Sequence, residues 1–113
     1  MTRYLYTFPA SAMAGLTPGE LRQADIDSHA EIAAAKEAGV YVFGGGLDDS
    51  VAPTLVTADG SAPEGAYPGS NLSGGVLVLE LPDREAAIAW GARFAAACRC
   101  EQELRAFMFD PAS

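Results

Sequence analysis

No run of about 18 apolar residues occurs in this sequence, so no helix that it forms can span a bilayer. Basic side chains are scarce. Seven lysines and arginines stand against 15 acids, a formal charge of −8. That balance argues against a nucleic-acid partner, whose affinity comes largely from cations neutralising phosphates. It argues equally against an anionic membrane surface. Cysteine is limited to Cys98 and Cys100, too few for a disulfide framework or a four-thiolate zinc site. Residues i and i+2 are poorly placed to bridge one another, so two reduced thiols are expected. The N-terminal Met1–Tyr6 lacks the long apolar stretch and small-residue cleavage site of a signal peptide, and a cytoplasmic protein is expected. Histidine occurs once, as His29.

What is present describes one folded domain over residues 1–113: half the residues are hydrophobic and 19% are charged. The chain is organised around Val40–Leu47, a strand with three glycines towards its end. Ahead of it, Arg3–Phe8 alternates as a first strand, with Tyr4, Tyr6 and Phe8 on one face and Leu5 and Thr7 on the other. Thr17-Pro18-Gly19-Glu20 is a helix start, with threonine as cap and glutamate reaching back to it. That helix is expected to run to about Ala38 and stop at Gly39. Helical spacing groups Leu21, Ser28, Ile32 and Ala35 on its apolar face. Glu20, Gln23, Asp27, Glu31 and Ala34 fall on the solvent side, with Asp25, His29 and Lys36 at one border.

After strand two, Asp48-Asp49-Ser50 is a polar turn, and Val51–Thr57 reads as a weak edge strand pairing with strand two as a hairpin. Ser61–Ser73 is a loop rich in glycine, proline and serine. Gly74–Leu81 is nearly all apolar, which predicts a strand covered on both faces. Asp83 caps a second helix to about Ala97, burying Ala87, Trp90, Gly91 and Phe94. Glu101–Phe109 is the last strand, with Arg105, Phe107 and Phe109 on one face. The order predicts an α+β, ferredoxin-like βαββαβ fold with an extra β-hairpin strand. Two helices would cover one sheet face. The other, still apolar, would be buried in a homodimer, sheet against sheet.

Several segments together resemble the YCII-related family, also called the DGPF-domain family. They are the helix Asp83–Arg93 with Trp90, the Gly74-Gly75 strand and Leu81-Pro82-Asp83 before it, and Gly44-Gly45-Gly46-Leu47. His29, about ten residues before strand two, sits where a histidine lies in the YciI-type branch. The family's signature appears only as Glu64-Gly65-Ala66-Tyr67, followed by Pro68-Gly69-Ser70-Asn71 in place of acidic and lysine residues. The resemblance implies a single YCII-related domain that pairs into a dimeric α+β barrel. It also implies an enzymatic role in which a histidine and an aspartate work together.

His29 is the one side chain whose ordinary pKa lies near neutrality, and Asp25 lies one helical turn earlier. A carboxylate there would fix the imidazole tautomer and leave the other nitrogen to take a proton. The expected chemistry is cofactor-independent elimination or isomerisation of a small metabolite, with His29 and Asp25 catalytic. Asp48, Asp49 and Tyr67 are expected to contact substrate, and Tyr6, Tyr41 and Phe43 to line an apolar pocket. Asp48, Asp49 and His29 fit no metal-ligand spacing, so no metal is expected. The alternative is a non-catalytic dimeric module that binds a metabolite or a protein, in which aromatic residues dominate and His29 is replaceable.

Overall fold

A computed structural model describes residues 1–113. Strand β1 (Thr2–Phe8) leads through one 3-10 turn (Ala10–Met13) to helix α1 (Pro18–Glu37). Strand β2 (Tyr41–Gly46) follows, and after a long excursion β3 (Gly75–Leu81), helix α2 (Arg84–Cys98) and β4 (Glu103–Ala106). The strands lie in the order β2-β3-β1-β4, and every neighbouring pair is antiparallel. With both helices on one face, this is the ferredoxin-like arrangement.

Local chemistry explains the helix ends. The Thr17 hydroxyl accepts from the Glu20 amide and the Glu20 carboxylate accepts from the Thr17 amide, which satisfies two otherwise orphaned donors. Those bonds hold the Glu20 carboxyl below its ordinary range. Helix α1 gives way at Ala38, and Gly39 turns the chain at φ 75°. Asp83 accepts from the Ala86 amide at 2.9 Å and starts α2. The end of α2 is unusual, because Arg99 takes the left-handed conformation at φ 55°. Its guanidinium compensates by donating to the Ala97 carbonyl at 2.9 Å and to Asp27 of α1 at 3.2 Å.

The core lies between the helices and one sheet face: Tyr4, Tyr6, Leu77, Leu79 and Leu81 from the strands meet Ala35, Ala87 and Phe94 from the helices. Tyr6 is fully buried and donates to the Ala87 carbonyl at 2.7 Å, tying β1 to α2. Burial pushes its phenol up to about 12, with Tyr4 adding to the shift. Gly91 is buried against the Tyr6 ring, so the ring packs on helix backbone.

Four expectations from sequence are corrected. Val51–Thr57 is not a strand of the sheet. Thr54 bridges Glu64, and Leu55 and Thr57 donate to the carbonyls of Pro63 and Ser61, so this segment closes on the loop that follows it. The last strand, β4, covers Glu103–Ala106 rather than Glu101–Phe109, whereas β2 ends in its three glycines as expected, with Gly44 and Gly45 paired to Leu77 and Val76 and a register slip between Tyr41 and Phe43. β3 is covered on one face only: Leu77, Leu79 and Leu81 are buried while Val76, Val78 and Glu80 alternate outward. Helix α1 is rotated from its expected setting, with Ala24 and Ala35 buried and Leu21 exposed. The rotation turns Asp27 and Glu31 towards α2. Asp27 holds Arg99, and Glu31 lies 2.8 Å from Arg93 as an ion pair without an aligned hydrogen bond.

Candidate functional site

Each expected site residue has a definite place. His29 and Asp25 lie on the solvent side of α1, and the imidazole is 69% exposed. The ring Nδ1 donates to the Asp25 main-chain carbonyl at 2.6 Å, while the Asp25 carboxylate is 3.5 Å from the same nitrogen. The backbone carbonyl therefore orients the ring, and Nε2 faces water. Tyr6 is core, its hydroxyl taken by Ala87. Tyr41 lies on the helix side of β2, with the Lys36 ammonium 5.1 Å above its ring. Phe43, one register step away, pairs with Val78 on the opposite sheet face and is 59% exposed. Asp48 binds its own turn through the Ser50 amide and hydroxyl, and these bonds lower its carboxyl pKa. Asp49 is exposed beside it. Tyr67 stands on the long β2–β3 excursion, 78% exposed. Within one chain Asp25 and His29 are brought together, and the other six are spread over the core, both sheet faces and the excursion.

The sheet face away from the helices is the more organised surface. Register places Leu5, Phe43, Val76, Val78 and Phe107 on it, and Val42, at the register slip, lines the same face. Two ion pairs lie on it, Arg3 with Glu80 at 3.4 Å and Arg105 with Glu103 at 2.8 Å. At the Arg3 end lies a hollow of about 560 Å³, walled by Val42, Val78, Phe107, Met108 and Phe109, with the Arg3–Glu80 pair and the Asp110 carboxylate among its lining. The volume suits a small ligand. Arg3, Glu80 and Val42 are not site candidates from sequence. The signal that finds them is the two-residue alternation of β1 and β3 once the antiparallel register is known.

Cys98 and Cys100 sit around the end of α2, the first half-buried and the second buried. Burial pushes the Cys98 thiol up to about 11 and raises Cys100 as well, which keeps both protonated and unreactive at neutral pH. No three or more His, Cys, Asp or Glu side chains gather as a metal site. No helix is long and apolar enough to cross a membrane.

No protein-family model matches the chain, and no curated protein matches it. Among solved structures, the chain is similar to the 5-chloro-2-hydroxyhydroquinone dehydrochlorinase TftG of Burkholderia phenoliruptrix AC1100, determined in complex with 2,5-dihydroxybenzoquinone. The two share 16% identity over 99% of this chain and 98% of that one, with a TM-score of 0.49. At that identity and score the likeness says nothing about chemistry.

Proposed function

We propose that this chain works as a homodimer, joined through the open sheet face, that binds a small uncharged aromatic or enolic metabolite at the Arg3 hollow. The observation that carries this reading is the open face itself. Six apolar side chains are left outside the helical layer, and four of the charges around them stand in two ion pairs, which lowers the cost of covering them. The Arg3–Glu80 pair offers a donor and an acceptor without net charge, which matches hydroxyl and carbonyl groups on an apolar ring. The order of elements and the YCII-related resemblance agree with such a dimer, and two protonated thiols suit the reducing cytoplasm.

Sedimentation tests the assembly. The wild type is expected at twice 11.7 kDa across micromolar concentrations. Val78→Glu, which puts an unpaired carboxylate at the centre of the face, is expected at the single-chain mass. A wild type that sediments as one chain at about 100 µM, well above the Kd of a specific dimer, sinks the reading.

The acid–base reading, a lyase or isomerase using His29 with Asp25, has one observation in its favour: the Asp25 carbonyl engages Nδ1 and leaves Nε2 without a protein partner. It requires the neutral imidazole to be the Nδ1–H tautomer, which 15N chemical shifts of the single histidine report directly. A ring found protonated on Nε2 rules it out.

A further inference from the structure

The excursion from Leu47 to Gly74 behaves as a built arm rather than a slack loop. Its base is closed by the Leu47 amide donating to the Gly74 carbonyl at 2.9 Å and by Ser73 accepting from the Ala10 amide. Its middle is a narrow ribbon in which Gly65 donates to Pro53, Leu55 to Pro63 and Thr57 to Ser61. At the tip Gly60 turns the chain at φ 84°. The Asp59 carboxylate there takes bonds from Thr57 and Ser61, which hold it down to about 2.

Yet beyond its base the arm keeps its larger apolar side chains bare. Val51, Val56, Tyr67 and Leu72 are all more than half exposed. An isolated two-stranded ribbon is marginal in water, so a shaped one with bare apolar side chains calls for a surface. The molecule is 43 × 43 × 20 Å, and its radius of gyration is 15.5 Å against about 13 Å for a compact chain of this length. It exposes 7635 Å², where a monomer of its mass exposes about 5,900 Å². The excess, roughly 1,700 Å² by the same scaling, exceeds the roughly 800 Å² that each partner buries in a standard interface.

The arm leaves the sheet at the Gly46–Gly75 end, whereas the hollow lies at the Arg3–Glu80 end of the same strands. Seven residues of β3 separate them, about 20 Å. A face-to-face pair whose two-fold axis runs across the strands brings the arm end of one sheet over the hollow end of the other. Tyr67 lies seven residues from the base at Gly74 and Val56 nine from the base at Leu47, up to about 24 and 31 Å when extended, enough to reach.

We infer that the arm of each chain crosses to a second copy and closes that copy's Arg3 hollow with Tyr67 and Val56, so that each ligand cavity is built from two chains. The inference rests on the dimer reading above and adds to it which partner residues complete the site. It also gives a use to the arm's one aromatic residue: facing the Arg3–Glu80 pair, the Tyr67 hydroxyl supplies a further polar group to the ligand.

The test uses the wild-type chain. A 13C-methyl-methionine sample is mixed with unlabelled chain, and isotope-filtered NOEs are recorded between Tyr67 ring protons of one chain and the Met108 methyl of the other. Those intermolecular NOEs are expected, and Tyr67→Ala is expected to abolish them and to raise the dimer dissociation constant about 10- to 100-fold. A dimer by sedimentation in which Tyr67 shows no NOE to Met108, or shows one only within its own chain, overturns the arm exchange and leaves the dimer standing. A single-chain mass overturns both.

Discussion

Gly74→Ala is expected to destabilise the protein by about 3 kcal/mol or more, at or beyond the upper end of ordinary overpacking. A Cβ built on Gly74 falls 1.9 Å from the Phe8 carbonyl oxygen and 3.0 Å from the Ala10 nitrogen. Both neighbours are backbone, so neither can rotate away. Relief requires the end of β1 or the base of the arm to move, and either breaks bonds. Phe8 pairs with Gly75, Leu47 donates to Gly74, and Ala10 donates to Ser73. At about 2.1 cal/mol/K per residue of unfolding entropy, each kcal/mol is about 4 °C of Tm for a chain of this length. A drop of about 12 °C, measured at one fixed protein concentration, is the expected readout, with loss of hydrogen-exchange protection at the Leu47 amide. A change under about 0.5 kcal/mol, the range of a neutral surface substitution, would mean that the β1 end and the arm base are not in contact.

Leu79→Ala is the second large effect. Leu79 is fully buried at the middle of β3, with Tyr4 and Tyr41 as its register partners on either side. Truncation at such a site costs about 2–5 kcal/mol, the lost transfer energy plus a cavity that rigid neighbours cannot fill. Only 13 residues are buried, so one core leucine is a large share of the packing that holds the helices to the sheet. Against a typical total of about 5–15 kcal/mol, the variant should have a denaturation midpoint well below that of the wild type with little change in slope. A loss below about 1 kcal/mol, far short of a core truncation, would show that the helical layer does not press on this face.

Much of this architecture was legible in the residues. The capping box at Thr17 and Glu20, the Asp83 cap and the apolar run of β3 are local signals, and local hydrogen bonds decide those ends. The misread elements depend on distant partners. Val51, Thr54, Val56 and Thr57 have strand-forming side chains, which favour extended backbone but do not choose the neighbour, and here the neighbour is the segment just after them. The rotation of α1 was hidden because its inner half is a run of alanines, Ala30 and Ala33–Ala35, with little contrast between faces. Asp27 and Glu31 settle it by meeting Arg99 and Arg93, whose positions only the folded α2 supplies. That rotation carries His29 outward to water, and the alternation of β1 and β3 marks the Arg3 end only after register is fixed.

The pairing of β1 with β3 also governs how this chain comes to be folded. Its middle strands join Thr2 to Leu81 and Phe8 to Gly75, and the outer pair joins Tyr4 to Ala106. Even the β2–β3 hairpin must close across the whole arm. Such long sequence separations slow folding, because chain entropy is lost well before the contacts return it. During synthesis the aromatic strand Tyr4-Leu5-Tyr6 leaves the ribosome first and then waits, unpaired on both edges, until more than 70 further residues have followed it. At about 5–20 residues per second that wait lasts some seconds. The nascent chain therefore passes through a stage at which an aromatic strand stands with both edges open, the condition that exposes a chain to edge-to-edge association before its own partners exist.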